Sequence, residues 1–333
     1  MLLAPLSWPY ALVMDIRNWM FDHGWLHEKR YDIPTVCIGN LAVGGTGKTP
    51  HTEWLVERLL AEHRHVGILS RGYGRSTRGY YEATADSRAD DIGDEPLQMY
   101  LRFGTQAIVA VCEDRCHGIE CLMERHPELD IIVLDDAFQH RYVRPTLRLL
   151  LTDYSRLYTT DYILPAGRLR ERRKGAKRAD IIVVTKCPST LSEAERSNIE
   201  ATIAPLPHQH VFFTAMDHAP LPISTEQPIA LLAGIARPQP LIEHLLAEGY
   251  NVARKLIYPD HHNFSPRDLA NIDTAAAQTA HIVTTAKDNA RLRSLPLAED
   301  TCRKLITQDI HVSVLFHQDT HLIKTINAYV NRH

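Results

Sequence analysis

Uncharged apolar runs are short in this 333-residue chain. None reaches the roughly 18 residues that a membrane-crossing helix needs, because Pro5, Ser7, Pro9, Asp15 and Arg17 break up the apolar start. The same start lacks the charged opening and small-residue cleavage site of a signal peptide. The six cysteines (37, 112, 116, 121, 187, 302) contain no C-x-x-C pair. Cys112, Cys116 and Cys121 lie nearest one another, but no histidine pair follows at finger spacing, so they read as structural thiols in a reducing compartment. A net charge of −3 excludes bulk attraction to nucleic acid and leaves only local basic surfaces. Internal repeats and low-complexity stretches are missing too, so the chain reads as an ordinary folded protein long enough for two domains.

What is present begins with Gly39-Asn-Leu-Ala-Val-Gly-Gly-Thr-Gly-Lys-Thr-Pro50, which follows the short apolar strand Thr35–Ile38. Such a loop turns backbone N–H groups onto phosphate oxygens. Gly44, Gly45, Thr46, Gly47, Lys48, Thr49 and Pro50 form the expected nucleotide cradle. Lys48 supplies positive charge, Thr49 a hydroxyl for Mg²⁺, and Pro50 fits the first turn of the next helix. Ala42 stands where the usual pattern has its first glycine. The second lysine common near the loop's start in dimeric switch ATPases is missing.

Apolar, β-branched runs recur at 66–69, 107–111, 131–134, 147–151 and 181–184, the rhythm of a parallel sheet with crossover helices. The expected fold is α/β, a P-loop NTPase-like, mostly parallel sheet domain with a second, smaller α/β domain. The boundaries read as an N-terminal helix within 1–28, a P-loop domain over 29–205, a proline-rich link with a short strand over 206–227, and a second unit over 228–333.

Other constellations sit at strand ends. Asp135-Asp136 ends an apolar strand, where a P-loop enzyme places carboxylates near Mg²⁺. Ser70-Arg-Gly-Tyr-Gly-Arg75 suits a phosphate clamp through Arg71 and Arg75. Gly93-Asp-Glu-Pro96 is an acidic turn entering a helix. The segment 167–178 holds seven basic residues and one acid, which suits an anionic substrate or membrane. Asp260-His261-His262 fits a metal set, a base or a capped turn. Thr185-Lys186-Cys187-Pro188 has proline where a guanine-reading element needs aspartate, so adenine is the expected base. Three of the four tryptophans (Trp8, Trp19, Trp25) crowd the first 25 residues beside Tyr10 and Phe21. This predicts an aromatic helix over roughly 9–25, and the segment alone leaves open whether it lies in a membrane plane or packs on its own domain.

In order, Asn40–Pro50, LSRGYGR (69–75), GDEP (93–96), LDDAFQHR (134–141), LPAGRLRE (164–171), DHH (260–262) and TAKD (285–288) resemble the tetraacyldisaccharide 4′-kinase family over nearly the whole chain. Ala137 replaces a glycine of the pattern and Ala286 a glutamate. The resemblance implies two α/β domains joined by a short β linker, ATP and Mg²⁺, and transfer of the γ-phosphoryl to the 4′-hydroxyl of an acylated glucosamine disaccharide phosphate. That lipid would be met at the cytoplasmic face of the inner membrane by a peripheral protein. Carried over by position, Lys48 binds phosphate, and Thr49, Asp135, Asp136 and Glu171 lie near the metal. Asp94 and His261 form the pair that activates the hydroxyl, and Arg71, Arg75, Gln139 and Arg170 line the substrate site. With Asp94 and His261 in different domains, closure is expected to assemble the site. No nucleic-acid or obligatory protein partner is implied. Two alternatives are a soluble P-loop ATPase of the metal- or cofactor-insertion type, whose second domain binds a client, and a non-catalytic membrane-surface protein.

Overall fold

The structure, a computed structural model, describes residues 4–332, so residues 1–3 of the expected N-terminal segment lie outside it. Along the chain come α1 (Ala4–Asp22), β1 (Thr35–Asn40), α2 (Lys48–Ala61), β2 (Val66–Ser70), β3 (Tyr81–Glu82), α3 (Ala89–Ile92), α4 (Asp94–Phe103), β4 (Ala107–Val111), α5 (Arg115–Arg125), β5 (Ile131–Asp135), β6 (Leu147–Asp153), β7 (Ile181–Thr185), α6 (Glu193–Ile203) and β8 (His210–His218). The second part adds β9 (Pro228–Ala233), α7 (Gln239–Ala247), β10 (Asn251–Ile257), α8 (Pro266–Gln278), β11 (His281–Thr285), α9 (Ala286–Leu292), α10 (Glu299–Lys304), β12 (Leu305–Gln308), β13 (Ile310–Val314) and α11 (Asp319–Val330).

The larger sheet runs β13-β8-β7-β6-β1-β5-β2-β4-β3 and is parallel except at its two edges, where β13 pairs antiparallel with β8 and β3 with β4. This is the expected P-loop NTPase-like architecture. Alternation along β1 explains the two-sided burial: Val36 and Ile38 face a core shared with α2, while Cys37 faces one shared with Ile119 and Leu122 of α5. The phosphate loop therefore leaves the central strand, and Asp135 ends its neighbour β5 in register with Ile38. That is where an open α/β sheet gathers ligands.

The second sheet, β10-β9-β11-β12, is wholly parallel. Ala230 and Leu232 point to α8, and Ile229 and Leu231 to α7. Two boundaries differ from expectation. The strand of the link, β8, belongs to the larger sheet, and β13 and α11, which the 228–333 boundary put in the second unit, return to that sheet and its core. Val312 of β13 registers with Met216 of β8, and Leu322, Ile326 and Val330 of α11 enter the core that holds Val36 and Ile38. The residue pattern specifies a strand and an amphipathic helix without saying which sheet completes them. The short edge strands β3 and β12 and the α9–α10 pair also escaped the sequence reading.

Helix α1 starts earlier than expected and carries Pro9 within it. Ser7, Ala11, Asn18 and Phe21 are buried at helical spacing, whereas Trp8, Leu12, Val13, Ile16 and Trp19 on the other side are exposed. One face is thus packed on its own domain and the other is open and apolar. All six cysteines are free thiols.

Candidate active site

Gly47 sits in the left-handed region (φ 83°) at the start of α2, and a side chain there would collide with Met216. Gly39 in β1 is required by close approach, since a Cβ would lie 2.7 Å from that of Phe138. This lets the 136–141 segment pass directly against the end of β1, from which the loop departs. Ala42 needs no glycine because it is extended, bridging to Leu169. Val43 N–H donates to the Arg168 carbonyl and Arg170 N–H to that of Leu41, both at 2.7 Å. The start of the phosphate loop thereby delivers Arg170 to the site.

Lys48 Nζ lies 3.7 Å from Asp136 Oδ2, and Arg170 Nη1 lies 3.2 Å from both oxygens of the same carboxylate. Asp136 takes the left-handed turn itself (φ 46°), which is why Ala137 can occupy the family's glycine position. Asp135 is buried behind it, accepting from Thr52 Oγ1 (3.1 Å) and Ser70 Oγ (3.2 Å). Burial, with Glu95 and Asp136 nearby, pushes its carboxyl above the usual range, and Lys48 only partly offsets this.

Glu171 is enclosed. Its Oε1 accepts from Arg178 (2.7 Å) and Gln139 Nε2 (3.2 Å), and its Oε2 accepts from Asn18 of α1 (3.1 Å). It reaches the Lys48–Asp136 pair through Gln139 and Arg170 rather than directly. Gln139 also donates to the Asn40 carbonyl (2.7 Å), so it spans β1 and Glu171. Arg71 is exposed and makes no ion pair among the described residues. Arg75 is not brought to this centre: its guanidinium holds the Gly79 carbonyl (2.6 Å) and Glu113 (2.5 Å), bracing its own loop.

Across the cleft, Asp94 opens α4 and meets the second domain. His261 Nδ1 and Arg291 Nε both lie 2.9 Å from Asp94 Oδ2. A carboxylate only accepts, so Nδ1 carries the proton and Nε2 keeps its lone pair. Lys287 Nζ donates to that Nε2 (3.2 Å) and to Asp260 (3.0 Å), whose carboxyl it helps to hold below the usual range against the effect of burial. Asp94 and His261 are therefore already joined in this structure. His262 points away to Asp268, inside the capping box that Ser265 forms at the start of α8. Sequence reasoning gave no role to Lys287 or Arg291. Their i, i+4 spacing on α9, with Lys287 inside the TAKD element itself, was the available signal.

The family model for Tetraacyldisaccharide-1-P 4′-kinase matches residues 1–331. This chain belongs to that family. Similar relatives are tetraacyldisaccharide 4′-kinases of Bacteroides thetaiotaomicron (41% identical; 98% of this chain, 92% of that one) and Parabacteroides distasonis (44%; 89% and 85%). Among solved structures, LpxK from Aquifex aeolicus, crystallised in complex with ATP, superimposes with a TM-score of 0.78 at 26% identity, covering 99% of this chain and all of that one. As a member of the 4′-kinase family, the chain keeps its whole architecture.

Proposed function

We propose that this chain transfers the γ-phosphoryl of ATP to the 4′-hydroxyl of an acylated glucosamine disaccharide phosphate. The observation that carries the reading is the junction of two half-sites, a phosphate loop with Lys48 and Asp136 on one side and the Asp94–His261 pair on the other. Membership of the kinase family favours it over a metal- or cofactor-insertion ATPase.

The backbone of Gly44–Thr49 and Lys48 hold the β- and γ-phosphates, and Arg170 adds charge from the opposite side. The sugar hydroxyl takes the place of Lys287 at His261 Nε2. Its oxygen then bonds to the γ-phosphorus while the bond to the bridging oxygen breaks, releasing ADP. The hydroxyl proton passes to Nε2, and Asp94 stabilises the resulting imidazolium, itself held by Arg291. Arg71 is free to meet the lipid's phosphate.

The residues present fit Mg²⁺: Asp136 and the Thr49 hydroxyl are hard oxygen donors, partly open, beside the phosphate loop. Asp135 would orient them from behind, and Glu171 would act through Gln139. When bound, Mg²⁺ neutralises phosphate charge that Lys48 alone cannot.

No helix of the described residues is long and apolar enough to cross a membrane. The open face of α1 (Trp8, Leu12, Val13, Ile16, Trp19) and Trp25 lie in the plane of the inner membrane's cytoplasmic leaflet, where aromatic rings prefer the headgroup boundary. Tyr10 OH donates to the Arg170 carbonyl (2.8 Å), so the lipid-facing helix touches the site's own backbone.

Labelled γ-phosphate and disaccharide lipid in detergent micelles test the reaction. Transfer to lipid is expected, and His261→Ala should lower kcat by on the order of a hundredfold with the KM for ATP nearly unchanged. ATP hydrolysis without lipid labelling by the wild type would refute the proposal.

A further inference from the structure

The phosphate loop is held from behind at three consecutive carbonyls. Lys186 Nζ donates to the Gly45 carbonyl, Thr185 Oγ1 to that of Thr46 (2.8 Å), and His51 Nδ1 lies 2.7 Å from that of Gly47. In a trans peptide the C=O and the following N–H point in opposite directions. The Thr46 N–H turns back onto the Gly44 carbonyl (3.0 Å) and closes the loop on itself, and fixing the Thr46 and Gly47 carbonyls outward aims the amides of Gly47 and Lys48 into the cradle.

Each of the three donors is itself braced. Asp153 Oδ2 at the end of β6 accepts from Lys186 Nζ (3.0 Å), and this ion pair helps to hold the Asp153 carboxyl below its usual range. Thr185 is fully buried at the end of β7, and its hydroxyl also reaches the Thr152 carbonyl (3.3 Å). His51 Nε2 meets Thr214 Oγ1 of β8 (2.9 Å). Lys186 adopts φ 58°, a left-handed conformation that a lysine occupies only when its surroundings impose it. A strained residue with an ion-paired ammonium on a loop carbonyl is more than a surface lysine.

We infer that Lys186, held by Asp153, is a positioning residue for ATP, acting through the Gly45 carbonyl to set the phosphate-binding amides. The Thr185-Lys186 pair occupies the strand end that in guanine-reading proteins continues to an aspartate, and here Pro188 ends it. Its work on this chain is directed to the loop. The inference rests on the kinase reading only for its turnover readout, because nucleotide binding is measured without lipid.

The test is calorimetric titration of MgATP into the full-length protein, paired with the lipid-phosphorylation assay. Lys186→Met should weaken binding about tenfold, equivalent to about 1.4 kcal/mol, and raise the KM for ATP in parallel. The kcat and the KM for lipid should stay within about twofold. Lys186→Arg should recover most of the affinity, and Asp153→Asn should shift it in the same direction by less. Thr185→Val, which removes a different pin and keeps the shape, should also weaken binding. Unchanged ATP affinity in Lys186→Met would overturn the inference whatever Thr185→Val does, as would a loss confined to kcat. Failure of wild-type lipid phosphorylation with the binding pattern intact would overturn the kinase reading alone.

Discussion

The two halves of the site are built by different means. The nucleotide half gathers the ends of β1, β5, β6 and β7, four adjacent strands of one sheet, and its supporting side chains are buried: Thr52 and Thr185 are fully enclosed and Asp135 is 1% exposed. The acceptor half joins residues 167 and 197 positions apart, from the start of α4, the Asp260–His262 turn and α9, and the His261 side chain is 42% exposed. A rigid sheet edge can fix the phosphate chain before the acceptor arrives. A domain junction can open to admit a bulky lipid headgroup and close around its hydroxyl. Damage to the first half should therefore cost nucleotide binding, and chemistry as well where the residue itself meets the phosphates, whereas damage to the second should cost chemistry alone.

The largest effect should follow Lys48→Ala. With the cradle charge gone and Asp136 left to Arg170 alone, phosphoryl transfer should fall by on the order of a thousandfold. Near-normal transfer would break the division of labour at its root. A smaller effect is expected from Trp8→Ser with Trp19→Ser, at the membrane side of the acceptor half. Sedimentation with anionic vesicles should drop about tenfold, while ATP affinity stays that of the wild type. Unaltered sedimentation would show that the open face of α1 serves another purpose.

The smallest effect concerns stability. Burial drives His51 down to about 4 from its ordinary 6.5, with Lys186 acting in the same direction, and burial takes His140 and His218 down to about 4 as well. Between pH 6.5 and 4 the unfolded chain takes up protons at these sites that the folded chain refuses, so stability is full above that window and is lost as pH falls through it. Burial raises the Asp135 and Glu53 carboxyls, which act with the opposite sign over the same range, so the histidine contribution is read as a difference: between pH 7 and pH 4.5 His51→Asn should lose less melting temperature than the wild type. A variant whose decline matched the wild type would remove His51 from the account.

The nucleotide half was largely legible in the sequence because its chemistry is local. Gly44–Pro50 lies in one stretch, and Asp135-Asp136 announces itself at the end of an apolar strand. Its outward supports were not legible, since nothing in His51 or Thr185 reveals which carbonyl it will meet. In the acceptor half, Asp94 and His261 came only through the family pattern. Local spacing left Asp260-His261-His262 undecided, and the structure separates the two histidines by turning His262 to Asp268. Arg75 and Glu171 show the same limit. Each fits its motif, yet Glu113 and Arg178 engage their charges, and those partners lie outside the motif residues that defined the site. The second unit was legible as an α/β unit, but its edge strand β12 and the return of β13 and α11 to the first sheet were not, because an amphipathic pattern names a buried face and not its partner.

That return makes the smaller domain an insertion with two covalent crossings, and it sets an order for biosynthesis. On the ribosome, α1 and the phosphate loop emerge early. The larger sheet lacks its edge strand, and its core lacks Leu322, Ile326 and Val330, until the last residues are made. The open aromatic face of α1, proposed above to meet lipid, is thus synthesised long before the nucleotide domain can finish folding.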